Sequence, residues 1–280
     1  AMKGGSKLDK FFQELPQRSF DCGIAEEHAM TFAAGLAVSG KRPFISVYSS
    51  FLQRAYDQIN HDVARMELPV VIGIDRCGLV GEDGETHHGV FDIAMLRSIP
   101  NMILAQPKDS LEAQNMLYTA FSQNTQPFAL RYPRGSVPYG KAPTYEALPI
   151  GSWTSWCSQE DYDAIVITYG SDVDKVISKA GVNGVNLRVV NARFFKPIDE
   201  AMLEELYHSK KPILIYETDM MAGGLSSAIL EYFNDHQLNT SCIRMGIGDH
   251  FVEHGSVPQL RKLEQIDITS LFEELHSLLK

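Results

Sequence analysis

The run Phe44-Ile45-Ser46-Val47-Tyr48-Ser49, the helical pattern over residues 51–67 and the run Val70-Val71-Ile72-Gly73-Ile74-Asp75-Arg76 decide how this chain folds. Both runs are continuously apolar rather than alternating, the pattern of strands buried on both faces. Strand, helix and strand in succession make a βαβ unit and therefore a parallel pair. Downstream the pattern predicts a short helix over 91–98, a strand over 102–106, a helix capped by Asp109 and running to Ser122, and a strand over 128–134. From 135 to 151 it breaks into Pro138, Gly140, Pro143 and Pro149. The alternation then restarts with strands over 164–169, 187–192, 213–217 and 241–245, helices between them and two helices to close. The expected class is α/β: two domains, each with a mostly parallel sheet flanked by helices. Their expected extents are 1–140 and 151–280, joined by a linker over 141–150.

Bulk composition agrees with a soluble globular protein at 44% hydrophobic and 21% charged residues, and 280 residues suffice for two domains. Twenty-five basic against 35 acidic residues give a net charge of −10 with no Lys/Arg cluster. That argues against nucleic acid or an anionic membrane as main partner. Cys22, Cys77, Cys157 and Cys242 are widely spaced, so reduced thiols in a cytoplasmic protein are expected. No secretory peptide or long apolar run appears, so neither export nor membrane insertion is expected. The opening Ala1-Met2-Lys3-Gly4-Gly5-Ser6 has no strand before it and reads as a domain entered in its middle.

In parallel α/β sheets ligands sit at the carboxyl ends of strands. The loops after Phe20, Tyr48, Arg76 and Tyr132 are therefore the places for chemistry. In Phe20-Asp21-Cys22-Gly23-Ile24-Ala25-Glu26-Glu27-His28-Ala29 a strand end enters a glycine turn and a carboxylate pair opens a helix. Ala29, Ala33, Ala34, Gly35 and Ala37 let that helix pack closely, so Glu26 is expected in a crowded, poorly hydrated place. Burial disfavours a charged carboxylate and favours one that keeps its proton, a property useful in catalysis. The alternative is that Glu26 complements the helix dipole, the role assigned to Glu27.

Arg76, Arg134 and Arg54, with Tyr48, stand at neighbouring strand ends, and forked guanidinium donors match phosphate oxygens. Together they point to a phosphate monoester site; taken singly, each is better read as a surface or interdomain ion-pair partner. The loop Gly81-Glu82-Asp83-Gly84-Glu85-Thr86-His87-His88-Gly89 sets carboxylates and two imidazoles between glycines, suited to proton transfer. Metal ligation by Asp83, His87 and His88 ranks below proton transfer, because a well-spaced third ligand is lacking. His61 and Asp62 are expected in the core or at a subunit contact. The turn Met221-Ala222-Gly223-Gly224-Leu225-Ser226-Ser227 lacks a full phosphate-binding pattern, which favours tight packing over anion binding.

Residues 20–37, Tyr48-Ser49-Ser50-Phe51-Leu52-Gln53-Arg54-Ala55-Tyr56-Asp57-Gln58, Tyr132-Pro133-Arg134-Gly135 and above all the run from Asp75-Arg76 through Gly81-Glu82-Asp83-Gly84 and His87-His88-Gly89 to Phe91-Asp92 closely resemble the 1-deoxy-D-xylulose-5-phosphate synthases. These are thiamine-diphosphate enzymes of transketolase-like fold that open the non-mevalonate isoprenoid pathway. The resemblance covers essentially the whole chain but only the family's second, pyrimidine-binding domain and its third. It implies that Glu26 hydrogen-bonds the cofactor's aminopyrimidine, with Ile24 beside it and Phe51 stacked on the ring. It further implies that Tyr48, Arg54, Arg76 and Arg134 hold the phosphate of glyceraldehyde 3-phosphate, and that Asp83 and His87 face the reacting groups. Pyruvate is the implied donor, 1-deoxy-D-xylulose 5-phosphate and CO2 the products, and a homodimer the implied assembly. The family's G-D-G…N motif, which binds Mg2+ and the diphosphate, does not occur here; Gly248-Asp249-His250 is the nearest string. The expectation is half a cofactor site, no metal ligand in this chain, and little turnover by it alone. Two other readings stay open: a subunit of a split thiamine enzyme, and a non-catalytic assembly module of the same fold.

Overall fold

Continuous apolar runs do form the central strands. In the computed structural model β1 (Phe44–Tyr48) pairs in parallel with β2 (Val71–Cys77), in register from Phe44–Val71 to Tyr48–Asp75. Val71, Ile72 and Ile74 are fully buried, each contributing about 1.5–3 kcal/mol. The structure describes residues 3–280, so the expectation that rested on Ala1 and Met2 lies outside the described residues. β3 (Ile103–Ala105) and β4 (Phe128–Pro133) continue the parallel sheet, β4 lying between β2 and β3. The helix between them, Ser110–Ser122, starts where Asp109 accepts the backbone N–H groups of Leu111 and Glu112.

The second sheet comprises β5 (Thr154–Cys157), β6 (Ala164–Thr168), β7 (Leu187–Asn191), β9 (Ile213–Met220) and β10 (Cys242–Ile247). β8 (Phe194–Lys196) leaves it and pairs antiparallel with β3, so the two sheets are ordered β1-β2-β4-β3-β8 and β10-β9-β6-β7-β5. The protein is thus α/β, with two mostly parallel five-stranded sheets flanked by helices. Among the described residues no helix is long and apolar enough to cross a membrane.

Four details depart from the sequence reading. All four residues of β5 are exposed and β8 has three residues, too little apolar pattern to announce either strand. β9 runs on to Met220 with all eight residues buried, because Glu217, Thr218 and Asp219 are enclosed despite their polarity. The single helix expected over 51–67 is a succession: an α-turn at Ser49–Leu52, a 3-10 turn at Gln53–Ala55, a short α-turn and a π-helix at Ile59–Ala64. Tightening and then widening the winding keeps Leu52, Ala55, Ile59 and Val63 all fully buried. His61 is exposed rather than in the core, and Asp62 accepts the Thr31 hydroxyl at 2.7 Å.

Candidate active site at the strand ends

The approach to Glu26 is an irregular segment rather than the expected strand end. Asp21 accepts the Gly23 N–H at 3.0 Å, and Gly23 takes φ 65°, a left-handed value that glycine adopts without steric cost. The chain then enters the helix Glu26–Val38, whose inward face is Ala29, Met30, Ala33, Ala34 and Ala37. Glu26 is 1% exposed. Arg54 Nη1 donates to both of its oxygens, at 3.2 and 3.3 Å.

Phe51, three residues before Arg54, links the rest of the site. The Arg54 guanidinium lies 4.7 Å from its ring centre, Tyr48 stacks on it at 5.7 Å, and His87 meets it edge-on at 5.2 Å. Arg76 lies 3.8 Å over the Tyr48 ring. Arg76, next to last in β2, takes φ 62°, a conformation costing a non-glycine residue on the order of 1 kcal/mol or more. Its Nη1 is held by Asp75 at 2.8 Å and by the Gly5 carbonyl at 3.2 Å. Burial pushes the Asp75 carboxyl up from its ordinary value, and the Arg76 guanidinium opposes that. Ser6, Ile24, Glu26, Ser46, Val47, Tyr48 and Phe51 enclose a niche of about 20 Å³, room for roughly one water. On the other side of Phe51 a cleft of about 430 Å³ opens between Arg54, Glu85, Phe91 and, from the second domain, Phe251.

The structure therefore brings Glu26, Ile24, Phe51, Tyr48, Arg54, Arg76 and His87 into one contiguous group. It does not bring the guanidinium groups together on one point. Arg54 turns to Glu26, Arg76 to Asp75, and Arg134 to Asp83 at 2.6 Å and the Val80 carbonyl at 3.1 Å. In so acidic a chain each arginine finds a carboxylate, the strongest partner the protein itself offers. His88, given no role from sequence, is 2% exposed. Its Nδ1 accepts the Val80 N–H at 3.1 Å, which leaves Nε2 to donate to the Glu253 carbonyl at 3.0 Å and tie the loop to the second domain. Among the described residues no group of three or more His, Cys, Asp or Glu side chains is placed to hold a metal.

The Gly223-Gly224 turn receives the protein's own carboxyl group. Glu217, fully buried, accepts the N–H groups of Leu225 and Ser226 at 2.9 and 3.2 Å and also the Ser226 hydroxyl. Burial pushes its carboxyl up to about 7 against those hydrogen bonds. Sequence reasoning also missed the buried Asp92–Arg131–Asp219 cluster. The available signal was an arginine within the otherwise apolar strand Phe128-Ala129-Leu130-Arg131.

Comparison with known proteins gives the context. The family model described as transketolase, pyrimidine binding domain, matches residues 1–140, and that of the transketolase C-terminal domain matches residues 157–270. The 1-deoxy-D-xylulose-5-phosphate synthase of Geobacillus thermodenitrificans is 50% identical over 277 residues, 96% of this chain and 43% of that protein. That of Listeria monocytogenes is 45% identical over 284 residues, covering 100% of this chain and 46% of the relative. The chain spans less than half the length of these relatives. A solved split-gene transketolase, described as an inactive beta4 tetramer, superposes with a TM-score of 0.85 at 26% identity over 100% of this chain and 89% of that one. Leishmania mexicana transketolase shares the fold, with a TM-score of 0.74 at 20% identity over 92% of this chain and 37% of its own.

Proposed function

We propose, from the premise that this chain belongs to the transketolase family through its pyrimidine-binding and C-terminal domains, that it is the corresponding portion of a 1-deoxy-D-xylulose-5-phosphate synthase. The reaction would join pyruvate, with loss of CO2, to D-glyceraldehyde 3-phosphate. The observation that carries the reading is the niche itself: a carboxylate 1% exposed, an aromatic face at Phe51 and an aliphatic side chain at Ile24 in one lining. That donor set fits the aminopyrimidine half of thiamine diphosphate. Its volume does not yet admit a ring, so the lining, with Ser6 in it, must part for the ring to enter.

When bound, thiamine diphosphate supplies the carbanion chemistry; the protein binds, orients and tunes. Glu26 would hold a hydrogen bond to a ring nitrogen, and Phe51 would fix the ring plane by stacking. Arg54, held on Glu26, belongs with the niche rather than with the phosphate group. Tyr48, Arg76 and Arg134 would receive the substrate phosphate, which has to compete with Asp75 and Asp83 for the two guanidinium groups. His87, in contact with Phe51, would move protons beside the reacting carbonyl, with Asp83 nearby. Mg2+ and the diphosphate would be held by another part of the protein. We assign the first domain to residues 1–140 and the second to 151–280, with β8 crossing between them. A homodimer in the cytoplasm completes the reading.

A second reading rests on the split-gene relative, of which this chain matches 89%: the missing part would be a separate polypeptide. One experiment addresses both. The chain is assayed alone, mixed with a diphosphate-binding polypeptide from the same source, and joined to it. Product is expected only when both parts are present, and formation on simple mixing favours the split arrangement. Absence of product in every arm overturns the synthase reading.

A further inference from the structure

Arg131 is fully buried in β4, and its guanidinium reaches three ways. Nε and Nη2 donate to the two oxygens of Asp92, at 2.6 and 3.1 Å. Nη1 donates to Gln106 at 2.5 Å. Nη2 also donates at 2.7 Å to Asp219, which lies in β9 of the second domain, where the Tyr169 hydroxyl donates to its other oxygen at 2.5 Å. Asp92 in turn accepts the Ser49 hydroxyl at 2.7 Å. No member of this chain of contacts is more than 7% exposed.

Its two ends matter most. One is anchored in the second domain; the other is Ser49, the first residue of the turn that carries Phe51 and leads into the 3-10 turn of Arg54. Gly89, which closes the loop carrying His87, packs so tightly here that a Cβ on it would stand 2.6 Å from the Ser49 Cβ. Domain adhesion by itself would need only the Arg131–Asp219 contact. The bond from Asp92 to Ser49 carries the network on to the site.

We propose that Asp219 and Arg131 are positioning residues for the niche: acting through Asp92 they pin Ser49, so the second domain sets where Phe51 and Arg54 stand. The second domain thereby shapes a niche whose lining comes from the first. Buried hydrogen-bonded ions suit this task, because in a low-dielectric interior they are strong when fully paired and costly when one partner is lost. The placement of Phe51 and Arg54 matters catalytically only if the niche reading above holds, but the mechanical coupling can be measured without cofactor or substrate.

The test is amide hydrogen exchange over residues 52–56 of the whole chain. Ser49→Ala, which cuts the last link, is expected to speed exchange there about tenfold, equivalent to 1.4 kcal/mol. Asp219→Ala is expected to speed the same amides to a similar degree from the other domain. The double variant should exceed neither single variant by more than about twofold, since both break one connection. Glu112→Gln supplies the control: it weakens a different interdomain contact, the one to Asn191 and Arg193, and should leave residues 52–56 unchanged. If Asp219→Ala does not fold, Tyr169→Phe removes the hydroxyl that holds Asp219 and must speed the same segment. The proposal is overturned if the variant read at the second domain leaves 52–56 at the parent rate, or if Glu112→Gln moves that segment as much. Faster exchange over 52–56 with synthase activity unchanged in the complete enzyme would count against the niche reading alone.

Discussion

Removing Arg54 should destabilise this protein more than neutralising the carboxylate it serves. Glu26 is 1% exposed, and among the described residues its side-chain hydrogen bonds go to Arg54. Arg54→Ala strands that carboxylate in a closed niche. Breaking a buried pair from one side costs about 3–5 kcal/mol. Arg54 is 43% exposed on its side chain, so water reaches the mouth of the pair and lowers the expected cost to about 2 kcal/mol. Glu26→Gln leaves the guanidinium free to turn to solvent and should cost about 1 kcal/mol or less. The double variant should recover most of the loss, because an amide tolerates the niche without its cation. Urea unfolding of the four proteins at neutral pH closes the cycle. The asymmetry is the content of the prediction. Equal costs, or a larger cost for Glu26→Gln, would refute the idea that Arg54 compensates a buried charge.

Glu217 gives a pH dependence of definite sign. Its folded value of about 7 lies above the ordinary 4.5, so between those limits the folded state holds a proton that the unfolded chain has released. Stability should fall as pH rises through that window, by at most about 3 kcal/mol from this group. Parent minus Glu217→Gln stability should shrink from pH 5 to pH 8, and a pH-independent difference would contradict it. Asp109→Ala removes the cap on two backbone N–H groups and should cost about 1 kcal/mol in a denaturation midpoint. In a complete enzyme Arg134→Ala should raise KM for the phosphorylated aldehyde about thirtyfold, as loss of a charge-assisted contact of about 2 kcal/mol implies, with far less effect on pyruvate.

Local patterns read correctly from sequence where the physics is local. The β-branched runs in β1 and β2 have no stable alternative to a doubly covered sheet, and Asp109 caps its helix with its own side chain. The alanine face of the helix Glu26–Val38 announces close packing and hence the burial of Glu26. What sequence left undecided depends on meetings between distant segments. Arg54 and Glu26 lie 28 positions apart, and nothing in either neighbourhood says that the arginine turns inward rather than toward a phosphate. Arg131 and Asp219 are separated by 88 positions and by a domain boundary; Arg131 looks like an isolated polar residue in an apolar strand, and Asp219 like the polar end of one, after Glu217 and Thr218. β8 was invisible for a related reason, since its partner β3 belongs to the other domain.

The central claim is that the buried carboxylate at position 26 meets the heterocycle. The most direct measurement is product formation by Glu26→Gln in the two-part enzyme, alongside a calorimetric titration of the same variant with thiamine diphosphate and Mg2+. The account predicts that the variant binds cofactor to within about tenfold of the parent affinity, the equivalent of 1.4 kcal/mol, and forms almost no 1-deoxy-D-xylulose 5-phosphate. Turnover at the parent rate would contradict it.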